Sequence, residues 1–203
     1  MRSLLAAAAL VLVSATLAQA EAVSFAVVEA KSTVRIHVGK SGALSFAGHR
    51  HEVMAPVSGT VTADPATVSA SSLDLRFASA RLRLLPEGEP TGDAPRVAEA
   101  MRGPEILDAS RFPDIRFVSK KVQGQGSGGS DDLTIVGDLS LHGVTRELTV
   151  PVKVTLEGQM LTATGQATLR HDQFGMKPVS AGGGTVKVAN EIRLDFRIVA
   201  ERR

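Results

Sequence analysis

The chain has 203 residues and no cysteine, tryptophan or tyrosine, which excludes disulfides, thiol catalysis and zinc–thiolate sites. Its 23 Lys and Arg against 21 Asp and Glu leave a formal charge of only +2. Scattered cations without stacking aromatics give no surface for nucleic acid.

The first 20 residues read as a secretory signal peptide. Arg2 supplies the positive start, Leu4 to Val13 the apolar run, and Ala18-Gln19-Ala20 the small-x-small cleavage site. The run is too short to cross ~30 Å of hydrocarbon, and no cysteine follows it to carry a lipid. The mature chain is therefore expected to begin at Glu21, to be exported to the periplasm without a membrane span, and to fold as one domain over residues 21–203. A homodimer is compatible with the sequence, which does not specify an oligomeric state.

Ser24 to Val38 predicts two short strands, the second with Val34, Ile36 and Val38 inward and Thr33, Arg35 and His37 outward. Gly39 to Gly48 reads as a loop carrying Leu44 and Phe46. Val53 to Val61 alternates as one further strand. Leu73, Leu75 and Phe77 share one phase whereas Leu82 and Leu84 take the other, which predicts a bulge or bend across Ala78-Ser79-Ala80. Pro86 to Asp93 is a polar loop. Arg96 to Arg102 is the best helix candidate, with Asp93 as N-cap and Gly103-Pro104 as stop. After a short turn at Glu105 to Ala109, Ile115 to Val122 is a strand. The GQGSGG stretch at 124–129 is a flexible connection inside the domain.

Leu133 to Leu156 carries the strongest pattern. Leu133, Ile135, Gly137, Leu139 and Leu141 fall on one face, and Leu148, Val150, Val152, Val154 and Leu156 alternate likewise after His142-Gly143-Val144-Thr145. This predicts a hairpin with a type II′ turn, Leu139 opposite Leu148 and Ile135 opposite Val152. Leu161 to Leu169 and Ile192 to Ile198 complete eight or nine strands, mostly antiparallel, with Gly182-Gly183-Gly184 before the last. That describes a barrel or a sandwich. The inward face of Leu161, Ala163, Gly165, Ala167 and Leu169, together with Gly137, is small. Such residues either leave room for a ligand or let the sheet coil sharply.

No catalytic or cofactor signature is present: no G-x-S-x-G elbow, H-E-x-x-H, P-loop or dinucleotide fingerprint. The triple glycine reads more simply as a turn than as a phosphate cradle. The histidines are the side chains with functional potential. His49 and His51 share the inward parity of Val53, and His171 continues that of Ala167 and Leu169, so all three are expected at one barrel mouth. Such a pair could ligate a metal, contact a polar headgroup or anchor a loop. His37, on the outward parity, and His142, in the turn, carry no functional expectation.

With these pieces assembled, the chain resembles the YceI-like family of exported, lipocalin-like lipid-binding proteins. The resemblance rests on F112-P-D-I-R-F-V-S119, G137-D-L-S-L-H-G-V-T145, L169-R-H-D-Q-F-G175 and the G-G-T-V-K-V run from Gly183. It implies an all-β fold, an antiparallel lipocalin-like barrel of about eight strands with a short helix near its mouth. It also implies a tunnel for a polyisoprenoid or similar long-chain lipid, with no catalytic residues. Two segments depart from the family's pattern. Arg96 to Pro104 lacks the histidine of the usual R-D-x-H-L segment, and Gly48-His49-Arg50-His51-Glu52-Val53 replaces a glycine-phenylalanine strand start.

The expectation is a periplasmic, non-enzymatic carrier without cofactor or metal. Phe77, Phe117, Leu139, Leu148, Leu194 and Phe196 would form its wall, Phe46 and Phe174 a rim, and His49, His51 and His171 its mouth. The alternatives are a metal-dependent enzyme or metal carrier built on the three histidines, and a partner module for a membrane redox protein.

Overall fold

In the computed structural model, residues 22–42, 50–87, 89–90, 92–126, 129–178, 180–181 and 186–203 are described. The expected signal peptide, Phe46, His49 and the Gly182-Gly183-Gly184 run lie outside them. The alternating stretches become twelve strands among the described residues. They are β1 (Val23–Val27), β2 (Thr33–Ser41), β3 (His51–Met54), β4 (Ser58–Ala63), β5 (Ser72–Ala78), β6 (Arg83–Leu84), β7 (Asp114–Gln123), β8 (Ser130–Leu141), β9 (Val144–Glu157), β10 (Met160–Arg170), β11 (Ser180–Ala181) and β12 (Val186–Arg202). One helix, α1 (Ala94–Arg102), accompanies them.

Eight strands, in the order β1-β4-β5-β7-β8-β9-β10-β12, close into an antiparallel barrel because β1 pairs with both β4 and β12. Closure satisfies both edges of the sheet, which suits a chain that has no disulfide to staple it. The long β12 pairs with β10 along one edge and divides the other between β1 and β2. Its end pairs with β1 through Ala200 to Arg202, and its earlier part pairs with β2, which carries β3 and β6 beyond the barrel. The expected single strand from Val53 to Val61 is broken at Ala55-Pro56-Val57. Pro56 has no N–H for a ladder, and there the chain leaves β3 to enter the barrel as β4. The inward phase survives the break, since Val53, Ala55 and Val57 are all buried.

The phase change after Phe77 is a 3-10 turn at Ser79–Arg81, held by Ser79 Oγ donating to the Phe112 carbonyl at 2.8 Å. α1 starts with Pro95 in its first turn. Asp93 occupies the N-cap position, but its side chain makes no capping hydrogen bond. The helix stops at Gly103, whose N–H donates to the carbonyls of Glu99 and Ala100. Met101, Ile106 and Leu107 then pack on the core and cover one end of the barrel. At the other end Phe25, Leu161 and Ala200 are buried together.

The β8–β9 hairpin keeps the expected faces but not the expected partners. Leu139 lies opposite Arg146, Gly137 opposite Leu148, and Ile135 opposite Val150. The turn sits one residue earlier than expected: Leu141 pairs directly with Val144, so His142 and Gly143 are its central residues instead of Gly143 and Val144. His142 (φ 52°) and Gly143 (φ 74°) are both left-handed, as in a type I′ turn. A shift of two leaves parity unchanged, so the apolar side chains still face inward.

The inward glycines are not empty space. A Cβ on Gly137 would sit 2.7 Å from Phe117 Cζ, and one on Gly165 2.7 Å from Phe196 Cζ. Each ring reaches over the neighbouring strand's glycine, the aromatic cover that lets a barrel strand coil without a void. Ala163 and Ala167, by contrast, face the lumen.

Candidate functional site

The barrel interior holds two adjoining chambers of about 130 Å³ each. The first lies beneath α1 and is walled by Val38, Val53, Met101, Leu107, Met176 and His171, among others. The second lies deeper, against Phe117, Ile135, Leu148, Ala163 and Phe196. Val34, Phe77, Leu139, Leu169 and Leu194 line both, so the two chambers of the lumen share a wall. Each chamber approaches the size, about 150 Å³, at which an apolar protein cavity stays dry and takes up benzene. All six side chains expected as wall therefore border the lumen. Phe174 does not form a rim: it is fully buried in the core that closes the helix end.

His171 is the one polar side chain among the described lining residues. It does not simply extend β10. It opens a 3-10 turn, His171–Phe174, and is only 4% exposed. Its Nδ1 donates to the carbonyls of Ala189 (3.1 Å) and Asn190 (3.2 Å). Those carbonyls are available because β12 carries a register shift there: Val188 faces Lys40 and Ile192 faces Val38, so four steps along β12 match two along β2. The irregular segment is clamped from outside. Asn190 Nδ2 donates to Asp172 Oδ2 at 2.6 Å, its Oδ1 accepts from the Asp172 N–H, and Arg170 Nη2 pairs with the same carboxylate at 2.7 Å. These contacts, Arg170 first, hold the Asp172 carboxyl down at about 2. Burial pushes the His171 imidazole below its usual range, against the opposing pull of the two carbonyls.

His142, for which the sequence offers no role, ties this end of the barrel together. Its Nδ1 lies 3.0 Å from the Phe174 carbonyl and its Nε2 3.0 Å from the Pro104 carbonyl. A neutral ring donates to one of these and the imidazolium to both. The Phe112 ring stands edge-on to it at 5.6 Å and fills the space where a Cβ on Gly143 would fall. The F-P-D, L-H-G-V-T and R-H-D-Q-F-G segments, distant in sequence, thus meet at one clasp under α1.

His51, unlike His171, does not line either chamber. Its Nδ1 pairs with Glu89 Oε1 at 2.7 Å, tying β3 to the loop before α1. His37 stays on the outer face, with Nε2 2.6 Å from Asp195 Oδ2. Among the described residues no group of three His, Cys, Asp or Glu side chains could hold a metal ion. No described helix is long and apolar enough to cross a membrane, which says nothing of strands.

A profile of the YceI-like domain matches residues 25–200. The chain belongs to the YceI-like family. Among similar curated proteins, a UPF0312 protein of Pseudomonas savastanoi pv. phaseolicola is 27% identical over 150 residues, covering 71% of this chain and 70% of its own. One from Shewanella denitrificans is 42% identical over 59 residues, a match spanning only 29% of either chain. Among solved structures, Burkholderia cenocepacia BcnA aligns with a TM-score of 0.64 at 24% identity, over 85% of this chain and 98% of that one. The Campylobacter jejuni YceI protein aligns at 0.55 and 16% identity, over 72% and 81%. These likenesses support the YceI-type barrel fold.

Proposed function

We propose that this YceI-like chain is an exported periplasmic binding protein that holds a polyisoprenoid or another long apolar lipid inside its barrel, and that it is not an enzyme. The observation that carries this reading is the pair of adjoining chambers, walled by apolar side chains with one imidazole at the helix end. Burying a chain there contributes about 25 cal/mol per Å² of apolar surface removed from water. Phe77, Phe117, Leu139, Leu148, Leu194 and Phe196 are the proposed holding residues. The clasp at the helix end would set how readily the chain enters and leaves.

Ala163 tests this. It lines the deep chamber, and a phenylalanine there would project into free space. Ala163→Phe should keep the wild-type melting temperature within a few degrees while lowering binding of a fluorescent long-chain lipid by about tenfold or more. A folded variant with undiminished uptake would contradict the lumen as the binding site.

A further inference from the structure

We propose that apolar molecules enter and leave the deep chamber sideways, through a slot between β9 and β10, and not past α1. This rests on the lumen reading above and names the route to that site.

The slot follows from where one ladder stops. β9 and β10 pair from Glu157 and Met160 only as far as Val152 and Gly165. Beyond that point β9 still pairs with β8 up to Val144, and β10 still pairs with β12 up to Arg170. Each strand is held by its other neighbour, while the edges that would face each other, 144–151 and 166–170, carry no backbone pairing. Pro151 explains the stop. Its carbonyl oxygen lies 2.6 Å from where a Cβ on Gly165 would fall, so that carbonyl faces β10. In an antiparallel strand the N–H of a residue points the same way as its carbonyl, and proline has no N–H to give the next rung.

Residues 166–170 without a partner make a slot about 16 Å long. Its inner margin is apolar: Leu148 and Val150 from β9, with Ala167 and Leu169 from β10, all border the deep chamber. Its outer margin of Thr149, Pro151, Gln166 and Thr168 is exposed. The 3-10 turn at His171–Phe174 closes the far end, where Arg146 Nε of β9 donates to the Gln173 carbonyl at 3.1 Å. The His142 clasp holds the same turn through the Phe174 carbonyl, so loosening the clasp lengthens the slot. The helix end offers no such gap, since Met101, Ile106, Leu107 and the fully buried Phe174 pack together over it. A slot with an apolar inner margin suits an extended hydrocarbon chain, which can slide in along its length while its contacts with the wall build up.

The test is a bridge across the slot, in a chain that has no cysteine of its own. Continued past Gly165, the β9–β10 register would set Thr149 opposite Thr168. Thr149→Cys/Thr168→Cys, bridged with dichloroacetone, closes the slot. Lys153→Cys/Thr164→Cys, bridged likewise where the ladder is intact, controls for stiffening of the hairpin. Stopped-flow fluorescence with N-phenyl-1-naphthylamine should show uptake and release each slowed about tenfold or more by the slot bridge, with Kd within about twofold of wild type. The control bridge should leave both rates within about twofold. Should the slot bridge prevent folding, a bulky maleimide adduct on the exposed Thr168→Cys should slow exchange, and the same adduct on Glu99→Cys of α1 should not. Wild-type rates with the slot bridged or its adduct in place, or equal slowing by the control bridge or the α1 adduct, would overturn the lateral route. The lumen reading would stand in that case, because the probe still binds. Failure of the probe to bind the wild type would overturn both.

Discussion

Leu139→Asp should unfold the protein or destabilise it by about 4 kcal/mol or more, whereas Ser140→Asp should shift stability by no more than about 0.5 kcal/mol. Leu139 is buried and lines both chambers, so the substitution removes apolar packing at the point where they adjoin. It also places a carboxyl among side chains that offer no hydrogen bond. Ionised, the group is buried without a partner; protonated, it still lacks one. Ser140 points outward, and its strand neighbour across the sheet is Arg116, a favourable partner for a new carboxylate. Thermal melts of the two variants check this, and equal losses would mean that the hairpin faces are misassigned.

The second large effect belongs to His142. His142→Ala should cost about 2–4 kcal/mol, because it removes the ring that bonds the Phe174 and Pro104 carbonyls and puts a Cβ-bearing residue without a local hydrogen bond at φ 52°. Asparagine tolerates the left-handed region, so His142→Asn should recover the backbone part of the loss but not the clasp. Because the clasp joins the hairpin to the segment after α1, both variants should also release a bound fluorescent lipid faster than wild type. Chemical denaturation gives the stability order and stopped-flow dilution the release rate. A wild-type release rate in both would contradict the clasp's part in gating the lumen.

Much of this architecture is legible from period-2 alternation, because parity alone decides which side chains face inward. The wall residues Phe77, Phe117, Leu139, Leu148, Leu194 and Phe196 follow from it. What alternation cannot carry is anything that preserves parity. The β8–β9 partners differ from the expected ones by two residues, and the decision rests on His142 adopting a left-handed conformation, stabilised by carbonyls 38 and 32 residues away in sequence. The β12 irregularity is hidden for the same reason: Val188 and Ile192 keep one phase although the pairing slips between them. Phe174 reads as a rim residue from its place after a strand, yet the 3-10 turn that begins at His171 folds it into the core. Pro56 was the available signal for the break between β3 and β4. Nothing in the sequence marks Glu89 as the partner of His51, since the contact is made by a polar loop.

The proposed occupant of the barrel is an apolar molecule. Native mass spectrometry of the protein purified from its own source tests this most directly, since it reports bound mass without a choice of probe. The expected result is a population heavier than the polypeptide by one organic-extractable molecule, lost on extraction and absent from Ala163→Phe. A protein that carries no such mass, and acquires none when offered total lipid extract from the same cells, would contradict the account.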